Sequence, residues 1–201
     1  YNAGKRRMLD GDFLLMDFAP DVGYYMSDVT RMWPVNGKFN SWQRELYGFY
    51  LGCYKSVLKH IRPNVTPQVV LKDAVKEMEA LLAATKFSKS AYENAAKAFV
   101  ANYQRSANNP MASLGHWVGM ATHDVGPHGE PLRAGMVFTI EPQLVVPEEK
   151  IYVRLEDLII ITATGKEIVS DFVPMDIDGI EKVMKETGML QRYPRDAEQK
   201  P

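Results

Sequence analysis

Two apolar, strand-forming stretches of this chain carry acids that a sheet must accommodate. LLMDFAPDVGYYMSDVTRMWP (14–34) contains Asp17 and Asp28, and GMVFTIEPQLVVPEEKIYVRLEDLIII (135–161) contains Glu141 and Glu156. Turn residues sit near the middle of each, Pro20, Asp21 and Gly23 in the first and Pro147-Glu148-Glu149 in the second, so each reads as a β-hairpin. Residues equidistant from a hairpin's turn face each other. Asp17 and Asp28 are symmetric about Val22-Gly23, and Glu141 and Glu156 about Glu148-Glu149. Each pair is therefore expected directly opposite, with Cβ atoms about 5 Å apart. Opposed like charges destabilise a sheet, and burying them costs more. Four acids pointing to solvent is the bland alternative. It is weakened because the pattern occurs twice, at turn-symmetric positions inside apolar runs. The cluster becomes favourable if divalent cations sit within it. Oxygen ligands suit Mn, Mg or Ca, and imidazole widens the choice to Zn, Co or Fe. Two such ions about 3.5–4 Å apart form a known hydrolytic arrangement that activates water between them.

The rest of the chain divides simply. DFLLMDF (12–18) and YYMSDVTRMWPV (24–35) read as strands. SWQRELYGFYLGCYKSVLKHI (41–61) reads as a helix capped by Ser41, and TPQVVLKDAVKEMEALLAAT (66–85) as one capped by Thr66 with Pro67 at its first position. SKSAYENAAKAFVANYQ (88–104) is a third, amphipathic helix. DIDGIEKVMKETGML (176–190) reads as a closing helix with Gly188 near its end, followed by a polar tail over 191–201. Acid-bearing hairpins at each end with helices between give an α+β pattern of two similar halves, in a single domain over 1–190.

Four histidines are candidates for the same site: His60, His116, His123 and His128. His60 ends a helix and reads as structural, and His128 lies in a Gly/Pro loop. His116 and His123 share the glycine-punctuated segment SLGHWVGMATHDVGPHG just before the second hairpin, which makes them better ligand and acid/base candidates. Arg154 is two residues from Glu156, so it shares a strand face with it and could hold a ligand carboxylate in place.

These motifs resemble the pita-bread metallopeptidases: methionine aminopeptidase, aminopeptidase P and prolidase. YYMSDVTRMWPVNGKF is similar to the family's Tyr-x-x-Asp-x-Thr-Arg-x-x-Pro strand, and GHWVGMATHDVG to its His-x-x-Gly-x-x-x-His-Asp segment. GMVFTIEP and VRLEDLIIIT are similar to its two glutamate strands. The histidine segment and the RLED strand are nearer aminopeptidase P and prolidase than methionine aminopeptidase. The resemblance implies the pita-bread fold and the ordered ligand set Asp17, Asp28, His116, Glu141 and Glu156. It implies two divalent ions, manganese first with Co, Zn or Fe as alternatives, and Asp28 and Glu156 between them. Glu141 would be the general base or proton shuttle, His123 would stand near the scissile bond, and Arg154 would support the ligands. The implied activity is removal of an N-terminal residue from a peptide substrate, with Xaa-Pro bonds preferred. Members are often dimers, so a homodimer is implied too.

Departures temper this. Proline-specific members usually carry a further histidine four residues before the metal histidine; here that position is Ala112. A glycine usual two residues after the first aspartate is Ala19. A full domain of the family has a further stretch before the first aspartate strand, and the chain opens with Tyr1, so an upstream segment of the same protein is expected.

Composition narrows the alternatives. The formal net charge is −1 with no long charged run, which argues against nucleic-acid and polybasic membrane partners. No apolar run reaches membrane-spanning length. Cys53 is a lone cysteine, so no internal disulfide and no CxxC site exist; a cytoplasmic location is expected, although a cysteine-poor periplasmic or secreted protein would look the same. A non-catalytic peptide-binding module of the same fold, or a metal-free hydrolase of creatinase type, would usually have lost ligands. A calcium-binding β structure would use oxygen ligands alone.

Overall fold

The computed structural model describes residues 6–192. In chain order the strands and helices are β1 (Phe13–Phe18), β2 (Asp21–Val22), β3 (Tyr25–Met26), β4 (Val29–Pro34), α1 (Ser41–His60), α2 (Pro67–Ala84) and α3 (Ser90–Ala107). Then come β5 (Val137–Ile140), β6 (Gln143–Val146), β7 (Ile151–Arg154), β8 (Asp157–Ile161), β9 (Lys166–Ile168), α4 (Ile177–Val183) and α5 (Met189–Arg192). A 3-10 turn over Pro147–Glu149 joins β6 to β7, with Lys150 left-handed after it. This is the α+β arrangement of two hairpins flanking a run of helices. No helix among the described residues is long and apolar enough to cross a membrane.

The first hairpin pairs antiparallel, but not in the expected register. Asp17 lies opposite Thr30 and Phe18 opposite Val29. The tip pairs Asp21 with Met26 and Val22 with Tyr25, so the two-residue turn is Gly23-Tyr24, one position later than expected. Both turn residues have positive φ, 58° and 70°, as a primed hairpin turn requires. A tyrosine in that conformation is uncommon, and the sequence gives no hint of it. The resulting two-residue shift preserves the face, so Asp17 and Asp28 become diagonal rather than direct neighbours. The second hairpin keeps the expected register. Ile140 lies opposite Asp157 and Gln143 opposite Arg154, which sets Glu141 against Glu156 between them.

The isolated pair Thr30–Glu156 joins the two hairpins, with Thr30 N donating to Glu156 O at 3.3 Å and Glu156 N to Thr30 O at 3.0 Å. A row of residues thus crosses the joined sheet: Asp17, Thr30, Glu156, Glu141.

Helix α1 packs against this sheet through tyrosines at helical spacing. Tyr47, Tyr50 and Tyr54 are fully buried, and each hydroxyl donates to the strand layer or the segment beside it: to Met175 O at 2.6 Å, Pro142 O at 2.8 Å and Asp157 Oδ2 at 2.7 Å. A buried tyrosine needs such a partner. The helix starts one residue earlier than expected, because Asn40 rather than Ser41 is the cap. Its side chain accepts from Gln43 N at 3.0 Å while Gln43 Oε1 accepts from Asn40 N at 2.9 Å, a reciprocal capping box. Thr66 and Pro67 open α2 as expected. The closing helix is shorter than the sequence pattern suggests. Only Ile180 of α4 is buried and residues 184–188 are all exposed, so little burial extends the helix, and Gly188 O instead accepts from Gln191 N and Arg192 N to start α5. Residues 191 and 192 of the expected tail are therefore helical; 193–201 lie outside the described residues.

Candidate metal centre

The sheet row brings the acids together, and a loop adds the histidines. Asp28 lies in the break between β3 and β4, Glu141 follows β5, and Glu156 stands between β7 and β8. Glu141 and Glu156 escape the ladder because Pro142 has no N–H to pair. Tyr50 fills the gap, its hydroxyl donating to Pro142 O at 2.8 Å and accepting from Leu155 N at 2.7 Å. The backbone of Glu156, next along the strand, faces the opposite side and pairs with Thr30.

Two glycines let the histidine loop lie flat on β5. A Cβ on Gly115 would stand 2.0 Å from Thr139 O, and one on Gly126 would stand 2.4 Å from the Trp117 ring. With those side chains absent, Thr139 N donates to His116 O at 2.9 Å and Val118 N to Val137 O at 3.1 Å, which aims the His116 ring at the acids. Asp124 closes the loop by accepting from Met120 N at 2.9 Å and Val125 N at 2.8 Å. That turn places His123 with its ring centroid 4.1 Å from that of His116.

The five residues named as ligands come together. His116 Nε2 lies 3.4 Å from Asp28 Oδ2, 3.4 Å from Glu141 Oε1 and 3.7 Å from Glu156 Oε1. Three groups of potential ligand atoms lie within 4.8 Å of one another: Asp17, Asp28 and Glu156; His116, Glu141 and Glu156; and Asp28, His116 and His123. His123 and Asp17 are the exposed members, and Asp28 and Glu156 are buried. The remaining histidines stay outside. His60 contacts Glu77 at 2.8 Å, and His128 is exposed in its loop.

Arg154 is the cation of the cluster. It is buried, bonds Asp17 through Nη2 and Glu141 through Nη1 at 3.1 Å, and donates to Thr30 Oγ1 at 3.0 Å. Burial works against its charge, but the carboxylates of Asp17 and Glu156 outweigh it and raise its pKa. One guanidinium does not neutralise four carboxylates. Burial, then repulsion from Glu141 and Asp28, drives Glu156 up to about 8 despite the hydrogen bond it accepts from Thr30. Burial and the nearby Asp17 raise Asp28 as well.

The donor set fits hard or borderline divalent cations, being carboxylate oxygens with one or two imidazoles. Two orphaned atoms support the fit. His116 Nε2 and Glu156 Oε1 are buried and have no hydrogen-bond partner. His116 Nδ1 donates to Trp117 O at 3.1 Å, which in the neutral ring leaves the lone pair on Nε2, turned toward the acids.

Behind the site lies a buried ion pair that the sequence reading did not single out. Arg31 Nη2 meets Asp157 Oδ1 at 2.6 Å, with side chains only 2% and 0% exposed. Arg31 also donates to Thr30 O at 3.0 Å and Glu156 O at 2.7 Å, holding together the two strands that carry the site. Both residues stood inside the quoted motifs; their burial had no local signature.

A model of the metallopeptidase family M24 matches residues 1–163. The chain belongs to this family. It is 34% identical over 198 residues to the Xaa-Pro aminopeptidase of Escherichia coli K12, covering 92% of this chain and 43% of that protein. It is 33% identical over 201 residues to the mitochondrial intermediate cleaving peptidase 55 of Arabidopsis thaliana, covering 92% and 37%. Among solved structures, a zinc-substituted E. coli aminopeptidase P in complex with product superposes with a TM-score of 0.71 at 33% identity, over 92% of this chain and 43% of that one. The proline aminopeptidase P II of Yersinia pestis gives 0.72 at 34%, over 92% and 44%. The fold is thus the pita-bread fold of the aminopeptidase P structures, and the chain spans less than half the length of these M24 relatives.

Proposed function

We propose that this chain carries the metal centre of a dinuclear exopeptidase, which hydrolyses the N-terminal peptide bond of peptides and prefers Xaa-Pro bonds. The observation that carries the reading is the overlap of the candidate ligand groups. Asp28, His116 and Glu156 each belong to two of them, so the three groups form one continuous cluster, and of these three the two carboxylates have the second oxygen needed to be shared between neighbouring ions. Asp17, Asp28 and Glu156 would hold one ion, and His116, Glu141, Glu156 and Asp28 the other. Manganese is the ion proposed, with Co, Zn or Fe as alternatives. Bound there, such ions would supply Lewis acidity and lower the pKa of water.

The side chains supply the rest. Glu141 is partly exposed beside the buried ligands, where its carboxylate can take a proton from the attacking water and return it to the leaving amine. His123, exposed at the rim, can donate to the oxygen of the attacked carbonyl as charge develops on it. Arg154 holds Asp17 and Glu141 in place. The relatives named Xaa-Pro aminopeptidase support the proline preference. A homodimer acting on peptide belongs to the same reading.

Ala112 favours a second reading on specificity alone. It is buried against Leu71, Val75 and Ala107, and its methyl group offers no polar contact where proline-specific relatives of the resembled type carry histidine. A looser demand for proline follows.

The test is elemental analysis of the protein carrying this chain, stripped with chelator and reconstituted, alongside hydrolysis of an Xaa-Pro dipeptide, an Xaa-Pro tripeptide and an Xaa-Ala control. About two ions per chain with Xaa-Pro cleavage is expected. No metal uptake overturns the reading, and equal cleavage of the control overturns the proline preference.

A further inference from the structure

Thr30 lies where the two acid-bearing hairpins meet, and its side chain joins two charged groups across that seam. It is fully buried, opposite Asp17 on one side and paired with Glu156 on the other. Its Oγ1 donates to Glu156 Oε2 at 2.7 Å and accepts from Arg154 Nη2 at 3.0 Å. A guanidinium can only donate, so the single hydroxyl proton is committed to Glu156. The direction of the chain is therefore fixed: Arg154 to Thr30 to Glu156.

This has a consequence for Glu156. One carboxylate oxygen is held from behind, and the other, Oε1, faces His116 Nε2 with no hydrogen bond of its own. Glu156 is 1% exposed, so water does not compete for the held oxygen. The backbone does not rotate either, because Arg31 Nη1 donates to both the Thr30 and Glu156 carbonyls.

We infer that Thr30 is a positioning residue of the metal centre: its hydroxyl selects which oxygen of Glu156 is presented and thereby sets the affinity for a bound ion. This rests on the metal-centre reading above. Replacing the hydroxyl by a methyl group of similar shape leaves Glu156 Oε2 without its donor and leaves Arg154 Nη2 with Asp17 as its remaining acceptor. Loss of a group that orients a ligand typically costs 10–100-fold in metal affinity.

The experiment is calorimetric titration of manganese into the chelator-treated protein as wild type, Thr30→Val and Thr30→Ser, with melting temperatures of the metal-free forms. Thr30→Val is expected to weaken a binding step about 10–100-fold, with Thr30→Ser close to wild type because it restores the hydroxyl. Thr30→Val binding like wild type overturns the inference, and so does Thr30→Ser as weak as Thr30→Val, since packing of the branched side chain would then be the cause. Should Thr30→Val fail to fold, Thr30→Ser against Thr30→Ala makes the same comparison. Wild-type protein that takes up no manganese overturns the metal reading itself, an outcome distinct from the other two.

Discussion

His116 Nε2 and Glu156 Oε1 stand 3.7 Å apart, both buried, and neither has a hydrogen-bond partner. Each such atom costs on the order of 1–3 kcal/mol, which a cation between them would recover. Manganese at about a hundred times its dissociation constant should stabilise the fold by about 2.7 kcal/mol, a rise of roughly 5–10 °C in melting temperature for a chain of this size. Asp28→Ala and Glu156→Ala should each abolish both that rise and hydrolysis, because each removes a ligand shared between groups. Melting curves with and without metal, together with elemental analysis, check this. Retained turnover in metal-supplemented buffer would show the assignment to be wrong.

The charge state of Glu156 gives a pH dependence of defined sign. Its carboxyl is raised from 4.5 to about 8 by burial and by Glu141 and Asp28, so the metal-free fold holds a proton that the unfolded chain releases. Such a group favours the fold at low pH, and stability falls as pH rises from about 4.5 through about 8. Asp28, also raised, acts in the same direction. Metal binding must displace that proton, so affinity should climb with pH over the same window. Melting curves between pH 5.5 and 9 should therefore show the metal-free and metal-loaded forms diverging as pH increases. Glu156→Gln should flatten the metal-free curve; a metal-free fold that gains stability over this range would refute the account.

His123 can be read in two ways, and one variant separates them. Its ring lies 4.1 Å from that of His116, and it forms a candidate ligand group with Asp28 and His116. It is also exposed, as a group that meets substrate should be. His123→Ala should slow hydrolysis by about 10²–10³, the usual cost of losing a donor to a developing oxyanion, and leave metal content unchanged. Parallel loss of metal and rate would make His123 a ligand instead.

The acids were legible in the sequence because a carboxylate inside an apolar strand is conspicuous, and hairpin symmetry paired Glu141 with Glu156 correctly. The same symmetry misplaced Asp17 against Asp28, because a tyrosine took the left-handed turn position; Asp17 faces Thr30 instead. Gly115 and Gly126 were visible as punctuation, but only the packing shows that a Cβ there would strike Thr139 or Trp117. Thr30, Tyr50, Arg31 and Asp157 were hidden for a common reason. The partners that place them at the site lie 92 to 126 residues away in sequence, and no local period records a contact of that range.

Arg31 and Asp157 carry the last prediction. All five guanidinium N–H groups of Arg31 are used, on Asp157 Oδ1 and on the carbonyls of Thr30, Glu156, Ser170 and Val173. Asp157 also accepts from Ser170 Oγ at 2.6 Å and Tyr54 OH at 2.7 Å. Removing one partner of a buried pair costs about 3–5 kcal/mol, so Arg31→Met or Asp157→Leu should lower the melting temperature by roughly 6–20 °C. Arg31→Lys should fail to restore it, since an ammonium keeps the charge but not the five-way fork. Replacing both members of a buried pair with apolar residues is often neutral. Here it should not be, because the double variant Arg31→Met/Asp157→Leu takes one donor from each of four carbonyls and the Asp157 acceptor from two hydroxyls, and two of those carbonyls belong to the residues that join the metal-bearing strands. Thermal melts of the single and double variants decide the point. A double variant as stable as wild type would mean that the network contributes nothing beyond its own neutralisation.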